Sequence, residues 1–102
     1  MPETTRSVAH TDIAIVQAQR GDGAGALRTA GLIQVPGHQA RALEAVASAS
    51  ARAGDMTEAL RVARSMSFGE YRRAALEAVV EAQAARGDVA GALATIATLP
   101  PE

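Results

Sequence analysis

The 102-residue sequence contains no cysteine, tryptophan or lysine, and Phe68 and Tyr71 are its only large aromatic residues. Without cysteine the chain can form neither a disulfide framework nor a thiolate metal site, and it suits a reducing compartment. No apolar run reaches membrane-spanning length, and the polar N-terminus does not resemble a signal peptide. We therefore expect a soluble, cytoplasmic protein.

An excess of charge of one sign is also missing. The ten basic residues are all arginine, and eleven acidic residues bring the net charge to −1. Like charges do not gather into blocks along the sequence. We therefore expect neither a nucleic acid nor a membrane surface as a partner.

Alanine dominates what remains, with 25 of the 102 residues and a hydrophobic fraction of 48%. The β-branched residues are scattered among helix formers instead of forming alternating runs, which favours an all-α fold. A chain of this length forms one small domain with a modest core. Because few large side chains are available to fill that core, the helices must approach one another closely.

A repeat of 33 residues organises the sequence. The pair Gly-Asp occurs three times at this spacing, at Gly21-Asp22, Gly54-Asp55 and Gly87-Asp88. Glycine accepts the left-handed conformation that ends many helices, and aspartate caps the start of the next helix. Glu58, three residues after Asp55, has the spacing of a capping box. Each unit is therefore predicted to be a helix, a tight turn and a second helix, with units at about 7–38, 39–71 and 72–102.

Six helices follow from this pattern. We place the first helix of each unit at about 7–20, 39–53 and 71–86, and the second at about 23–34, 56–66 and 89–98. The breakers Pro36-Gly37 and Ser67-Phe68-Gly69 are predicted to lie in the connections between units, and Pro100-Pro101 follows the last helix.

The units resemble those of the tetratricopeptide repeat family. The family pattern is matched in the second unit by Leu43, Val46, Ala47, Gly54, Asp55 and Ala59, and in the third by Leu76, Val79, Gly87, Asp88 and Ala92. The family's aromatic positions instead hold His10, Leu43 and Leu76, and then Gln17, Ser50 and Gln83, so the array is divergent and alanine-rich. The resemblance implies a short α-solenoid, a right-handed superhelix of six antiparallel helices in which the first helices line the concave face. We expect the core face to use Leu43, Val46, Ala47 and Ser50, and their equivalents in the other units.

Two other repeat families share features with this pattern. Ankyrin repeats share the 33-residue period, but their Thr-Pro-Leu-His opening is missing here and the predicted first helices are too long. A β-hairpin between units would nevertheless favour ankyrin. Pentatricopeptide arrays bind RNA, and the near-neutral charge without lysine leaves RNA binding as a remote third alternative.

Several short motifs could suggest other chemistry. Arg20-Gly21-Asp22 and Arg86-Gly87-Asp88 spell an adhesion tripeptide, but both lie at predicted turns where each residue has a helix-end role. The glycines after Gly21 follow a helix instead of a strand, which does not fit a phosphate-binding loop.

Catalytic and metal chemistry is not expected either. His10 and Asp12 lie on different faces of a helix, and His38 is predicted to lie in a distant turn. Glu77 and Glu81 share a helix face, as a carboxylate pair would, but a solvated surface explains them as well. We therefore predict that the chain is not an enzyme and has no catalytic residue, metal site or cofactor.

Partner binding is the function that the resemblance implies. The concave face is expected to comprise Thr11, Ile15, Arg41, Glu44, Ser48, Arg52, Ala74, Glu77 and Glu81. Family members that hold the carboxylate tails of chaperones use lysine and asparagine, which this sequence lacks. The leading hypothesis is a protein-interaction module or scaffold that binds a peptide or helix, and the alternatives are a self-assembling structural unit and a fragment of a longer array.

Self-association is expected at the C-terminal end. The last helix carries Leu93, Ile96 and Leu99, and the sequence ends at Glu102 without residues for a polar capping helix. An uncovered solenoid end leaves apolar side chains in water. We therefore expect a homo-oligomer, in the form of a two-fold dimer through the C-terminal unit.

Overall fold

Six α-helices make up the computed structural model, which describes residues 3–66 and 69–99. In chain order they are α1 (Glu3–Gln19), α2 (Gly23–Gly31), α3 (Pro36–Arg52), α4 (Met56–Ser65), α5 (Gly69–Ala85) and α6 (Val89–Ala97). Neither described range contains a strand, so the all-α prediction is confirmed. The connection residues Ser67 and Phe68, and the C-terminal Pro100, Pro101 and Glu102, lie outside the described residues.

The three Gly-Asp turns join the helices of each unit as predicted. Gly21, Gly54 and Gly87 have φ angles of 84°, 95° and 79°. This left-handed region is readily accessible to glycine, whereas a Cβ atom clashes there with the following carbonyl oxygen. The helix-end role predicted for the glycines is confirmed.

Hydrogen bonds close each turn, as the middle unit illustrates. The Gly54 N–H donates to the Ala51 carbonyl at 3.1 Å and the Asp55 N–H donates to the Ser50 carbonyl at 2.9 Å, which is the bond pair of a Schellman motif. Asp55 Oδ1 accepts from the Glu58 N–H at 3.1 Å and caps α4. The reciprocal half of the capping box is not formed, because the Asp55 N–H is already bonded. Equivalent aspartate caps lie at the starts of α2 and α6, on Asp22 and Asp88.

The connections between units lie earlier in the sequence than predicted. Pro36 is the first residue of α3 and Gly37 lies in its first turn, so the prediction that both belong to the connection is wrong. Proline suits the first helical position because its φ is preset and an N–H there has no partner within the helix. Gly69 likewise begins α5. The few residues between α2 and α3 leave no room for a β-hairpin of the ankyrin kind.

The helices pack as stacked pairs. α1 packs along α3 and α3 along α5, each second helix packs on the first helix of its own unit, and α2 and α4 also contact the first helix of the next unit. Most of the buried hydrophobic side chains are alanine, and the largest fully buried ones are Leu76, Val46, Val62 and Val79. The Cα atoms extend over 45 × 31 × 16 Å. The core is therefore built mainly from small side chains, as the composition predicts.

A hydrogen-bonded polar pair joins the two helices of each outer unit. The Thr95 hydroxyl donates to Gln83 Oε1 at 2.9 Å in the third unit, and the Thr29 hydroxyl donates to Gln17 Oε1 at 2.6 Å in the first. The equivalent residues of the middle unit are Ser50 and Val62, which are both buried. Both positions therefore change together between units, as contacting residues do.

Ile13 departs from the predicted core face. Its equivalents Val46 and Val79 are completely buried, whereas Ile13 is 50% exposed. Val79 is covered by a second helix of the preceding unit, through a cluster that includes Leu60 of α4. In the described part of the chain, no helix precedes α1 to cover Ile13 in this way, so the core prediction for Ile13 is wrong.

Candidate functional site

A groove of about 390 Å³ lies between α1 and α3, within the size range of ligand-binding clefts. It contains four of the residues predicted for the concave face, Thr11 and Ile15 from α1 and Arg41 and Glu44 from α3. The remaining lining residues are Ser7, Val8, Asp12, His38 and Ala45. The packing of α1 along α3 brings these residues together.

The other predicted concave residues do not line this groove. Ser48 is half-buried one helical turn beyond Glu44, and Arg52 is the exposed last residue of α3. Glu77 and Glu81 are exposed on α5, and Ala74 is half-buried on the same helix. The groove is therefore confined to the first two units.

Two buried polar atoms in the groove wall have no hydrogen-bond partner among the described residues. They are Ser7 Oγ, on a side chain that is only 2% exposed, and His38 Nδ1. A buried polar group without a partner costs about 1–3 kcal/mol. The Thr11 hydroxyl, in contrast, donates to the Ser7 carbonyl at 2.8 Å within its own helix. Because both atoms are buried, a ligand in the groove would contact the apolar surface of Val8 and Ile15 rather than these two atoms.

Sequence reasoning missed both of these residues. The sequence predicts His38 in a turn, because Pro36-Gly37 indicates a helix break. Since α3 begins at Pro36, His38 lies on the helix three residues before Arg41, and this spacing places both on one face. The signal that could have located His38 is the preference of proline for the first helical position. Ser7 has no comparable signal in the sequence.

Charged residues lie on both walls of the groove. Asp12 on α1 is exposed, Glu44 on α3 is half-buried, and Arg41 on α3 is exposed. Two carboxylates against one guanidinium make the groove weakly negative. Val8, with 56% of its surface exposed, adds an apolar patch at the groove wall. The groove therefore offers apolar contact, hydrogen bonding and a negative field within a short distance.

The other residues considered for metal binding, catalysis or adhesion do not form a site in the described part of the chain. Within residues 3–66 and 69–99, no group of three or more histidine, aspartate and glutamate residues is placed to hold a metal ion. Glu77 and Glu81 both lie on the exposed surface of α5. The arginine-glycine-aspartate tripeptides occupy two of the turns, where glycine and aspartate carry the helix-end roles described above.

The predicted self-association residues differ in exposure. Leu93 is 62% exposed and Ile96 is 46% exposed on α6. Leu99, which follows α6, is half-buried and packs against the largest buried cluster of the chain. Leu93 and Ile96 are therefore available to a partner, and Leu99 contributes mainly to the core.

Among the helices that the structure describes, none combines the length and apolarity needed to cross a membrane. No family model matches the sequence, and no curated protein or solved structure matches it either. The likeness to tetratricopeptide repeats therefore depends on the repeat pattern of the chain itself.

Proposed function

We propose that this protein is an interaction module that binds a peptide segment of a partner protein in the groove between α1 and α3. The observation that carries the proposal is the exposed apolar surface of Val8 in a groove that the carboxylates of Asp12 and Glu44 also line. The resemblance to tetratricopeptide repeats supports the same location, since partners of that family bind along the first helices. The lack of cysteine supports a cytoplasmic setting.

The groove chemistry indicates what kind of peptide fits. An apolar side chain would lie on Val8 and Ile15. A lysine or arginine beside it would lie near Asp12 and Glu44 in the weakly negative part of the groove. The expected ligand is therefore a short segment with a basic residue next to an apolar one.

Selection from a displayed random peptide library tests the proposal. Purified protein would be used to select peptides, and the affinity of the best peptide would be measured by fluorescence anisotropy. We expect Val8→Asp and Glu44→Gln each to weaken binding about tenfold, equivalent to about 1.4 kcal/mol. Glu44→Gln acts because a carboxylate near the basic residue of the peptide loses its charge, and Val8→Asp because the apolar patch becomes charged.

Matched controls are available on the same chain. Leu32→Asp places the same charge on an apolar residue that is 60% exposed at the end of α2, and Glu81→Gln removes the charge of an exposed glutamate on α5, outside the groove. Both controls should leave the affinity unchanged. If the selected peptides bind the groove variants and the controls equally well, the proposed groove is not the binding site.

A further inference from the structure

The two ends of the helix array carry matching apolar stripes. On α6, the C-terminal face consists of Val89, Leu93 and Ile96, which are 65%, 62% and 46% exposed. On α1, the N-terminal face consists of the exposed Ala9 together with Ile13 and Val16, which are 50% and 44% exposed. Each set has steps of four and three residues, so its members share one side of their helix.

Inside the chain, the same positions of the repeat form the junction between units. The equivalents of the C-terminal face in the second unit are Met56, Leu60 and Ala63, and those of the N-terminal face in the third are Ala75, Val79 and Ala82. Met56, Leu60 and Ala82 pack around one buried cluster that contains Val79. Each type of face is therefore covered by the other wherever two units meet.

A second contact at the junction between units involves a glycine turn. The Arg86 guanidinium lies over the middle turn, with Nη2 2.7 Å from the position that a Cβ on Gly54 would take. The residue equivalent to Arg86 in the first unit is Arg20, and the glycine equivalent to Gly54 in the third unit is Gly87. No described atom comes within 4 Å of the corresponding Cβ position at Gly87. Arg20 of one copy and Gly87 of another would therefore meet as Arg86 and Gly54 do within the chain.

The composition of α6 supports a covered helix. Its nine residues include no charged side chain, whereas α4, its equivalent in the middle unit, carries Glu58, Arg61 and Arg64. Like charges would therefore not oppose the approach of a second copy to the C-terminal face.

We propose that copies of this chain associate head to tail, with the C-terminal face of one copy on the N-terminal face of the next. A two-fold dimer through the C-terminal unit, as expected from the sequence, would pair Leu93 with itself and leave Ile13 uncovered. Head-to-tail contact covers both faces and continues the junction already formed inside the chain. Such heterologous contact extends beyond two copies, into either a ring or an open filament.

The new junction is bulkier than the internal one. Ile96 and Val16 occupy positions that hold alanine, Ala63 and Ala82, where the second and third units meet. Because the distance between packed helices grows with the side chains at the contact, copies would lie further apart than units do. We therefore expect the contact between copies to be looser than the contact between units, so that association depends on protein concentration.

Light scattering after size exclusion, over a series of protein concentrations, tests the proposal. We expect the mass of the unmodified chain to rise from 10.4 kDa to more than two copies. Leu93→Glu and Ile13→Glu should each remain monomeric, because a charge on an exposed face opposes association without entering the core. Ile96→Glu is a second variant of the C-terminal face. Thr57→Glu is the control, because it places the same charge on an exposed residue of α4. Circular dichroism would verify that each variant is folded.

A mixture of two variants distinguishes the head-to-tail arrangement from two-fold pairing. Leu93→Glu keeps an intact N-terminal face and Ile13→Glu keeps an intact C-terminal face, so an equimolar mixture should form a complex of two chains and no larger species. Thr57→Glu should assemble like the unmodified chain. The proposal is wrong if the unmodified chain remains at 10.4 kDa at every concentration, or if Ile13→Glu alone still forms a dimer. Since the groove residues take no part in this contact, neither outcome depends on peptide binding.

Discussion

The same positions of the repeat are buried in the middle of the array and exposed at its ends. Val79 is completely buried at the junction of the second and third units, whereas Ile13, its equivalent on α1, is 50% exposed. Ala63 is completely buried on α4, whereas Ile96, its equivalent on α6, is 46% exposed. The position within a unit thus determines which way a side chain faces, and the neighbouring unit determines whether that side chain is covered.

The largest effect is expected when aspartate replaces Val79, at the junction between units, and its exposed equivalent Ile13. Val79→Asp should lower the free energy of unfolding by about 3–5 kcal/mol, because the carboxylate enters a core with no partner for it. Ile13→Asp should cost less than about 1 kcal/mol, because its side chain reaches water. Urea unfolding followed by circular dichroism, on dilute protein so that association does not contribute, would measure both. Equal costs at the two positions would contradict the comparison.

The sequence predicts the parts of this fold that depend on one unit. The three Gly-Asp pairs correctly predict the number of helices, the left-handed glycines and the aspartate caps, because these features need only a few neighbouring residues. The exposure of Ile13 could not follow from its repeat position, since it depends on the presence of a preceding helix. The groove was predicted in part: Thr11 and Arg41 follow from the periodicity, whereas Ser7 lines it because of how α1 packs along α3.

A smaller effect on stability is expected from the hydrogen-bonded polar pairs of the outer units. Thr95 is 3% exposed and donates to the buried Gln83, whereas Thr29 and Gln17 are half-buried. Thr95→Val should cost about 1–3 kcal/mol because the Gln83 oxygen loses its donor in a buried site. Thr29→Val should cost less, since water can reach Gln17.

A double variant shows whether the pair acts as a unit. Gln83→Ser combined with Thr95→Val reproduces the Ser50 and Val62 pair of the middle unit. Residues in contact have coupled effects on stability, so the double variant should cost less than the sum of its two single variants. Additive costs in thermal or urea unfolding would indicate that the two side chains contribute independently.

The smallest expected effect concerns the turn glycines, where the middle unit and the end should behave alike. Gly54→Val should cost about 1–2 kcal/mol, because φ at this position is 95° and a β-branched side chain is strained there. Gly87→Val meets the same strain at a φ of 79°. At Gly54 the Arg86 side chain must also move aside, but its flexible end can do so at little further cost.

Gly37→Val is the matched control, because Gly37 has helical geometry and open space for a Cβ. That variant should be as stable as the parent or slightly more stable. Thermal unfolding of the three variants would measure the differences, and a Gly54→Val protein as stable as the parent would show that the left-handed turn is not what requires glycine.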